Sequence, residues 1–386
     1  MTMKILSVIT LIIGIVSVIF VSCNNTKKGN GTDLTTLYEI DYSHSDQANT
    51  IPTIVDSVEF IPLHGSIENP ISGIDELQVT DKGIYILDKR KNKLHAYSKD
   101  GNQLFTLHSM GHAQQEYLEI ACIAVTDSSV FIVDNFGKKI NEYGSDNGMF
   151  KRSYNAPIII GAIRPLGNGG FILAELPMEG VNQIENSDGN RLYIADSSFS
   201  IKHSIYPYDN HRDKIGMRRF LSDNDSVIIY SSTGYNGFSK ISAKDGNFIG
   251  NVSVNTARPF NNIEIAEMDK SKARDYVVER RWQFLTTTPM MAGKYICLSV
   301  KDEDTAEPCI YDEKSGKLYF NDNISMHNNM IAPDDAYGNS FYIVYNFGGE
   351  FLDDQLDMGF NRPPLVADSI IRNDGAVLLR YRMKID

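Results

Sequence analysis

Four cysteines, eight histidines and two clusters of carboxylates are the groups through which this 386-residue chain could do chemistry. The histidines are scattered from His44 to His327, and only His108 and His112 stand close enough to share a loop. There is no Cys-x-x-Cys pair and no His-Glu-x-x-His helix, the spacings that hold a zinc ion, so no metal or other cofactor is assigned. Asp302-Glu303-Asp304 with Glu307, and Glu350 with Asp353, Asp354 and Asp357, are rich in oxygen ligands. Neither follows the alternating pattern of a calcium loop, and both read as solvated acidic turns. Nucleophile elbows and phosphate-cradling glycine loops are missing from the sequence. No catalytic residue is therefore assigned, and a non-enzymatic role is favoured.

Cys23 is the exception. Lys4 is the only charged residue before it, and residues 5–21 are almost wholly apolar. That is the layout of an export signal, and 17 residues lie at the lower limit for a permanent membrane span. The run ends in Phe20-Val21-Ser22-Cys23, which resembles a lipobox: an apolar residue, a small residue and the cysteine whose thiol takes a diacylglycerol before cleavage. Phe20 stands where such boxes usually carry leucine. The expectation is a signal peptide over 1–22, a lipid on Cys23, and a polar tether over 23–53 that begins Asn24-Asn25-Thr26-Lys27-Lys28. Surface-exported lipoproteins of the kind this leader resembles tend to carry acidic residues just after the cysteine, so the resemblance implies the periplasmic side of the cell envelope rather than the cell surface. The three other cysteines would then sit in a compartment that permits disulfides. Cys297 and Cys309 stand where they could bridge two strands of a hairpin whose tip is near Glu303, but two free buried thiols are the plainer reading. A net charge of −12 argues against nucleic acid as a partner.

Positioning elements come from a repeat. Gln78-Val79-Thr80-Asp81 matches Ala124-Val125-Thr126-Asp127, and Ile84-Tyr85-Ile86-Leu87-Asp88 matches Val130-Phe131-Ile132-Val133-Asp134, at an offset of 46 residues. Tyr97 over Tyr143 and Asp100 over Asp146 keep the same offset. A period of this length holding several short strands is one propeller blade. Unbroken apolar runs such as Ile84–Leu87 predict strands covered on both faces. Further runs at 171–173, 227–230, 295–298 and 341–344 bring the count to six, and a ring of five or seven stays open to the same pattern. Asp100-Gly101, Asp188-Gly189, Asp245-Gly246 and Ser315-Gly316 supply hairpin turns. Val58–Leu63 and Ala376–Tyr381 would complete the last blade together, so the fold is all-β over 54–386. One short helix is predicted within 261–280, between blades four and five, from Asn261 and Glu264 in a capping-box arrangement.

On these residues the chain resembles the six-bladed β-propeller lipoproteins of Gram-negative anaerobes, with an architecture like that of NHL repeats. Met110-Gly111-His112-Ala113-Gln114-Gln115-Glu116-Tyr117 is similar to that family's Gly-x-Gly-x-Gly-Pro-Gly-Glu-Tyr loop, of which Gly111, Glu116 and Tyr117 survive. The resemblance implies a fold and a cell-envelope location, and no catalytic residues. Glu116 reads as a carboxylate capping turn amides. Two functions follow as expectations. One is a lipid-anchored binding or scaffolding module for a glycan, peptide or protein. The other is a propeller enzyme, a metal-dependent lyase or a hydrolase, with groups from several blades meeting at the central channel.

Overall fold

The computed structural model describes residues 36–43, 48–176, 190–207, 221–224, 226–231, 236–259, 264, 279–302 and 305–385. In chain order the strands begin with β1 (Thr36–Asp41) and β2 (Val55–Pro62). Blade one is β3 (Glu76–Val79), β4 (Ile84–Asp88), β5 (Lys93–Tyr97) and β6 (Gln103–Leu107); blade two is β7 (Cys122–Val125), β8 (Ser129–Asp134), β9 (Lys139–Gly144) and β10 (Phe150–Asn155). Blade three is β11 (Ile160–Pro165), β12 (Phe171–Glu175), β13 (Asn190–Ala195) and β14 (Ile201–Pro207); blade four is β15 (Leu221–Asp223), β16 (Val227–Tyr230), β17 (Gly237–Ser242) and β18 (Phe248–Asn255). In blade five the inner edge is shared by β19 (Phe284–Leu285) and β20 (Met290–Ala292), followed by β21 (Tyr295–Asp302), β22 (Thr305–Asp312) and β23 (Lys317–Phe320). Blade six is β24 (Asp335–Tyr337), β25 (Ser340–Tyr345), β26 (Val377–Met383) and, as its outer strand, β2.

Each of the six predicted apolar runs is the second strand of a blade, and burial explains why the runs are unbroken. In β4, Ile84 and Ile86 join a core cluster with Leu378 of blade six, while Tyr85 and Leu87 join one with Ile123 and Ile132 of blade two. Alternate side chains thus enter different seams, and both faces of the strand must be apolar. Six such clusters fill the six seams between blades. Closure also follows the expectation: β2 pairs antiparallel with β26, with Val58 opposite Tyr381 and Ile61 opposite Leu378. The turn glycines Gly101, Gly246 and Gly316 have φ of 79°, 77° and 69°, the left-handed region that glycine adopts without a Cβ clash.

Two expectations are corrected by the structure, the cysteine alternatives are resolved, and others fall outside the described residues. Residues 36–41, assigned to the tether by composition, form β1, which adds to blade four parallel to β18 as a fifth strand. Its alternation accounts for this: Ile40 is fully buried against blades four and five, and Tyr38 stacks on Tyr311. The cluster Glu350, Asp353, Asp354 and Asp357 is not a loop but the helix α1 (Gly349–Asp357), followed by α2 (Leu365–Arg372), both between β25 and β26. Cys297 and Cys309 are free thiols. The hairpin between them exists, but Cys297 pairs with Ile310 and Cys309 with Leu298. A one-residue offset in a strand reverses the face, so Cys297 points into the seam with blade six and Cys309 into the seam with blade four. The helix predicted within 261–280 falls almost entirely outside the described residues, as do Cys23 and the export signal.

Candidate functional site

The inner strands β3, β7, β11, β15, β20 and β24 ring the central channel, and polar side chains, with one backbone bond, tie each blade to the next. Asp335 Oδ2 accepts from Val79 N at 2.6 Å across the seam from blade six to blade one. The Gln78 amide imitates a backbone strand: its Nε2 donates to Ile123 O at 2.8 Å and its Oε1 accepts from Val125 N at 3.0 Å. Glu76 accepts from Ile123 N, from Gln78 and, at 2.7 Å, from Arg164 Nη1 of blade three. Arg164 Nη2 reaches Leu221 O of blade four, Ser222 donates to Pro289 O of blade five, and Gly293 N donates to Gly338 O of blade six. Asn135 clamps both backbone groups of Ile160 between blades two and three, at 3.0 Å each. The carboxylates at the channel, Glu76 and Asp335, are therefore taken up in holding the ring.

Above this belt lies a cleft of about 330 Å³, on the face formed by the loops that link blades and by the turns joining the second and third strands. Two repeated aspartates build it. Asp88 Oδ2 accepts from Ser72 N at 2.7 Å and Asp134 Oδ2 accepts from Leu118 N at 2.9 Å, so residues 46 apart hold the incoming loop in the same way. The residues after each aspartate are thereby presented to the cleft: Lys89 after Asp88, Asn135 after Asp134, at equivalent positions of the repeat. Asn92 takes a left-handed backbone, φ 53°, and its Oδ1 accepts from Ile120 N at 2.7 Å. Glu119, Ile120 and Ala121 approach from the loop between blades one and two. Ile160, Gly161 at a bulge in β11, and Leu176 close the far side.

Lys89 and Glu119 are the two charged groups lining the cleft, and among the described residues neither side chain has a hydrogen bond or ion pair. Partial burial raises the Glu119 carboxyl above its ordinary value, the nearby Asp134 carboxylate adds to the rise, and Lys89 opposes it. A titratable carboxyl and an ammonium beside amide and aliphatic groups can orient a polar, partly apolar ligand. Sequence reasoning missed all four of Lys89, Asn92, Glu119 and Asn135. The available signal was the repeat itself, since the positions just after its strand-ending aspartates fall on one face.

The loop singled out by its motif does what its residues suggested. Glu116 Oε2 accepts from Ala113 N at 2.9 Å, and Tyr117 is fully buried, with its hydroxyl accepting from Ser109 N. His108 rests on Asn92 O at the surface, and His112 is exposed. No group of three or more histidines, cysteines or carboxylates able to hold a metal occurs among the described residues. No described helix is long and apolar enough to cross a membrane.

The 6-bladed beta-propeller family matches residues 27–329. Among solved structures, a putative exported protein from Bacteroides fragilis superposes with a TM-score of 0.68 at 11% identity, covering 90% of this chain and 100% of that one. Virginiamycin B lyase from Staphylococcus aureus gives a TM-score of 0.41 at 14% identity, covering 74% of this chain and 80% of that one, too weak a likeness to support an argument. No curated protein matches.

Proposed function

This chain belongs to the 6-bladed beta-propeller family, and on that premise we propose that it is a lipid-anchored binding module of the cell envelope that receives its ligand in the cleft over blades one to three. The observation that carries the reading is the contrast between the two sets of charged groups. Glu76, Arg164 and Asp335 at the channel are engaged, whereas the side chains of Lys89 and Glu119 in the cleft make no hydrogen bond or ion pair among the described residues. Groups held open at a concave surface are what recognition requires. A glycan, a peptide or a protein loop would each offer the hydroxyls, amides or charges that such a cleft can pair.

The anchor belongs to the same proposal. Its supports are the lipobox-like ending at Cys23 and the resemblance to lipoproteins of Gram-negative anaerobes with NHL-like architecture. A diacylglycerol on Cys23 would hold the propeller at the periplasmic side of the envelope. Two experiments test the two parts. Metabolic acyl labelling should be lost in Cys23→Ala, and retained labelling would disprove the anchor. Glycan-array and peptide-panel binding should weaken in Glu119→Gln and in Lys89→Met. A ligand that binds both variants as well as wild type would place the site elsewhere.

A further inference from the structure

A second surface stands apart from the cleft. The connection between β25 and β26 carries the helices α1 and α2, where the corresponding connections of blades one and two are single turns of four residues. The pair is rigid. Leu352, Ala367 and Ile371 are fully buried in the core of the seam between blades five and six. Arg372 grips Asp353 with two nitrogens, at 2.7 and 3.0 Å, and Asp368 with a third at 2.9 Å. Yet the outer side carries large apolar groups among its acids: Leu365 is 89% exposed, Met358 57%, Val366 56% and Phe351 43%. Phe347, 52% exposed, packs on Phe351 with ring centroids 5.1 Å apart. Large apolar groups held in place in water on so short a segment mark an interaction surface.

Charge selects the occupant. Residues 349–372 carry five carboxylates against Arg362 and Arg372. Glu350, Asp354 and Asp357 recur at helical spacing on α1 beside Phe351 and Met358, and among the described residues none of the three has a side-chain partner. Such a surface repels anionic lipid headgroups, and a second copy of this acidic chain would bring the same carboxylates against it. We propose that the outer side of α1 and α2 docks a protein segment that carries lysines or arginines beside large apolar side chains. The site is independent of the cleft and of the lipid anchor.

The test uses the full chain in nanodiscs of neutral lipid and two fluorescent amphipathic helical peptides, one with lysines flanking a leucine face and one with glutamates there. The lysine peptide binds, its affinity falls as salt rises, and the glutamate peptide binds at least about tenfold more weakly. Leu365→Ser and Phe351→Ala each weaken the lysine peptide about tenfold or more, as loss of a central apolar anchor does. Combined Glu350→Lys, Asp354→Lys and Asp357→Lys reverses the preference, which loss of folding would not do. Equal binding of the two peptides overturns the proposal, as does binding indifferent to these variants. It is likewise overturned if sedimentation shows a dimer that Leu365→Asp abolishes, or if α1 gains amide protection only when phosphatidylglycerol is added to the nanodisc.

Discussion

Replacing Arg164 by methionine asks whether the channel belt holds the ring together. Arg164 is 3% exposed and its partner Glu76 9%, so the substitution strands a buried carboxylate that keeps only Gln78 and the Ile123 amide. Breaking a buried pair in this way costs about 3–5 kcal/mol. At roughly 2 °C per kcal/mol for a chain of this length, the melting temperature should fall by about 6–10 °C. Glu76→Met in the same chain removes the stranded charge, leaving mainly the Ile123 amide without its acceptor, a cost of about 1–3 kcal/mol. The double variant should therefore be more stable than Arg164→Met alone. Urea unfolding followed by the single tryptophan, Trp282, which is buried, measures all of these stabilities. A loss under about 1 kcal/mol in Arg164→Met, or a double variant at the sum of the two single losses, would refute the belt as a cooperative unit.

Three other perturbations follow from the same structure. His95 is fully buried in blade one, its Nε2 has no partner, and burial lowers its pKa from the ordinary 6.5 to about 4, with Lys93 contributing. The depressed value makes its contribution complete above pH 6.5 and lost as pH falls through about 4, a span worth about 3 kcal/mol. Urea midpoints of wild type and His95→Gln should therefore differ less at pH 4.5 than at pH 7.5, and parallel curves would contradict this. Glu313 accepts from both Tyr38 of β1 and the buried Lys240, so Glu313→Ala should speed amide exchange across 36–41, and unchanged exchange would show that β1 is held by its backbone alone. A Cβ on Gly101 would lie 2.0 Å from Pro62 O at φ 79°, so Gly101→Ala should cost more than about 1 kcal/mol by chemical denaturation, and a neutral result would mean the turn relaxes freely.

The blades were legible because their second strands are buried on both faces. Ile84–Leu87 and Val130–Val133 must be apolar at every position, and the turns after them must be polar, which makes a repeat visible in one sequence. β1 escaped notice because only Ile40 of its six residues is buried, and its partner β18 lies more than 200 residues away. The helix α1 was read as a loop because its exposed face carries the acids, while the burial of Leu352 and Gln355 depends on α2 and blade six. The cleft was legible only in hindsight of position. Lys89 and Asn135 are ordinary turn residues by type, and what makes them a pair is a 46-residue period folded into a ring. The reach of Arg164 to Glu76 spans 88 positions and leaves no local mark in the sequence.

The central claim is that the open charges of the cleft receive a ligand without turning it over. Its most direct measurement is calorimetric titration of the full chain with the best hit from the glycan and peptide panels, alongside Glu119→Gln and Lys89→Met, with mass analysis of the ligand afterwards. The account predicts saturable binding, a loss of about tenfold or more in at least one variant, and ligand recovered unchanged. Binding indifferent to both substitutions, or ligand recovered cleaved, would contradict it.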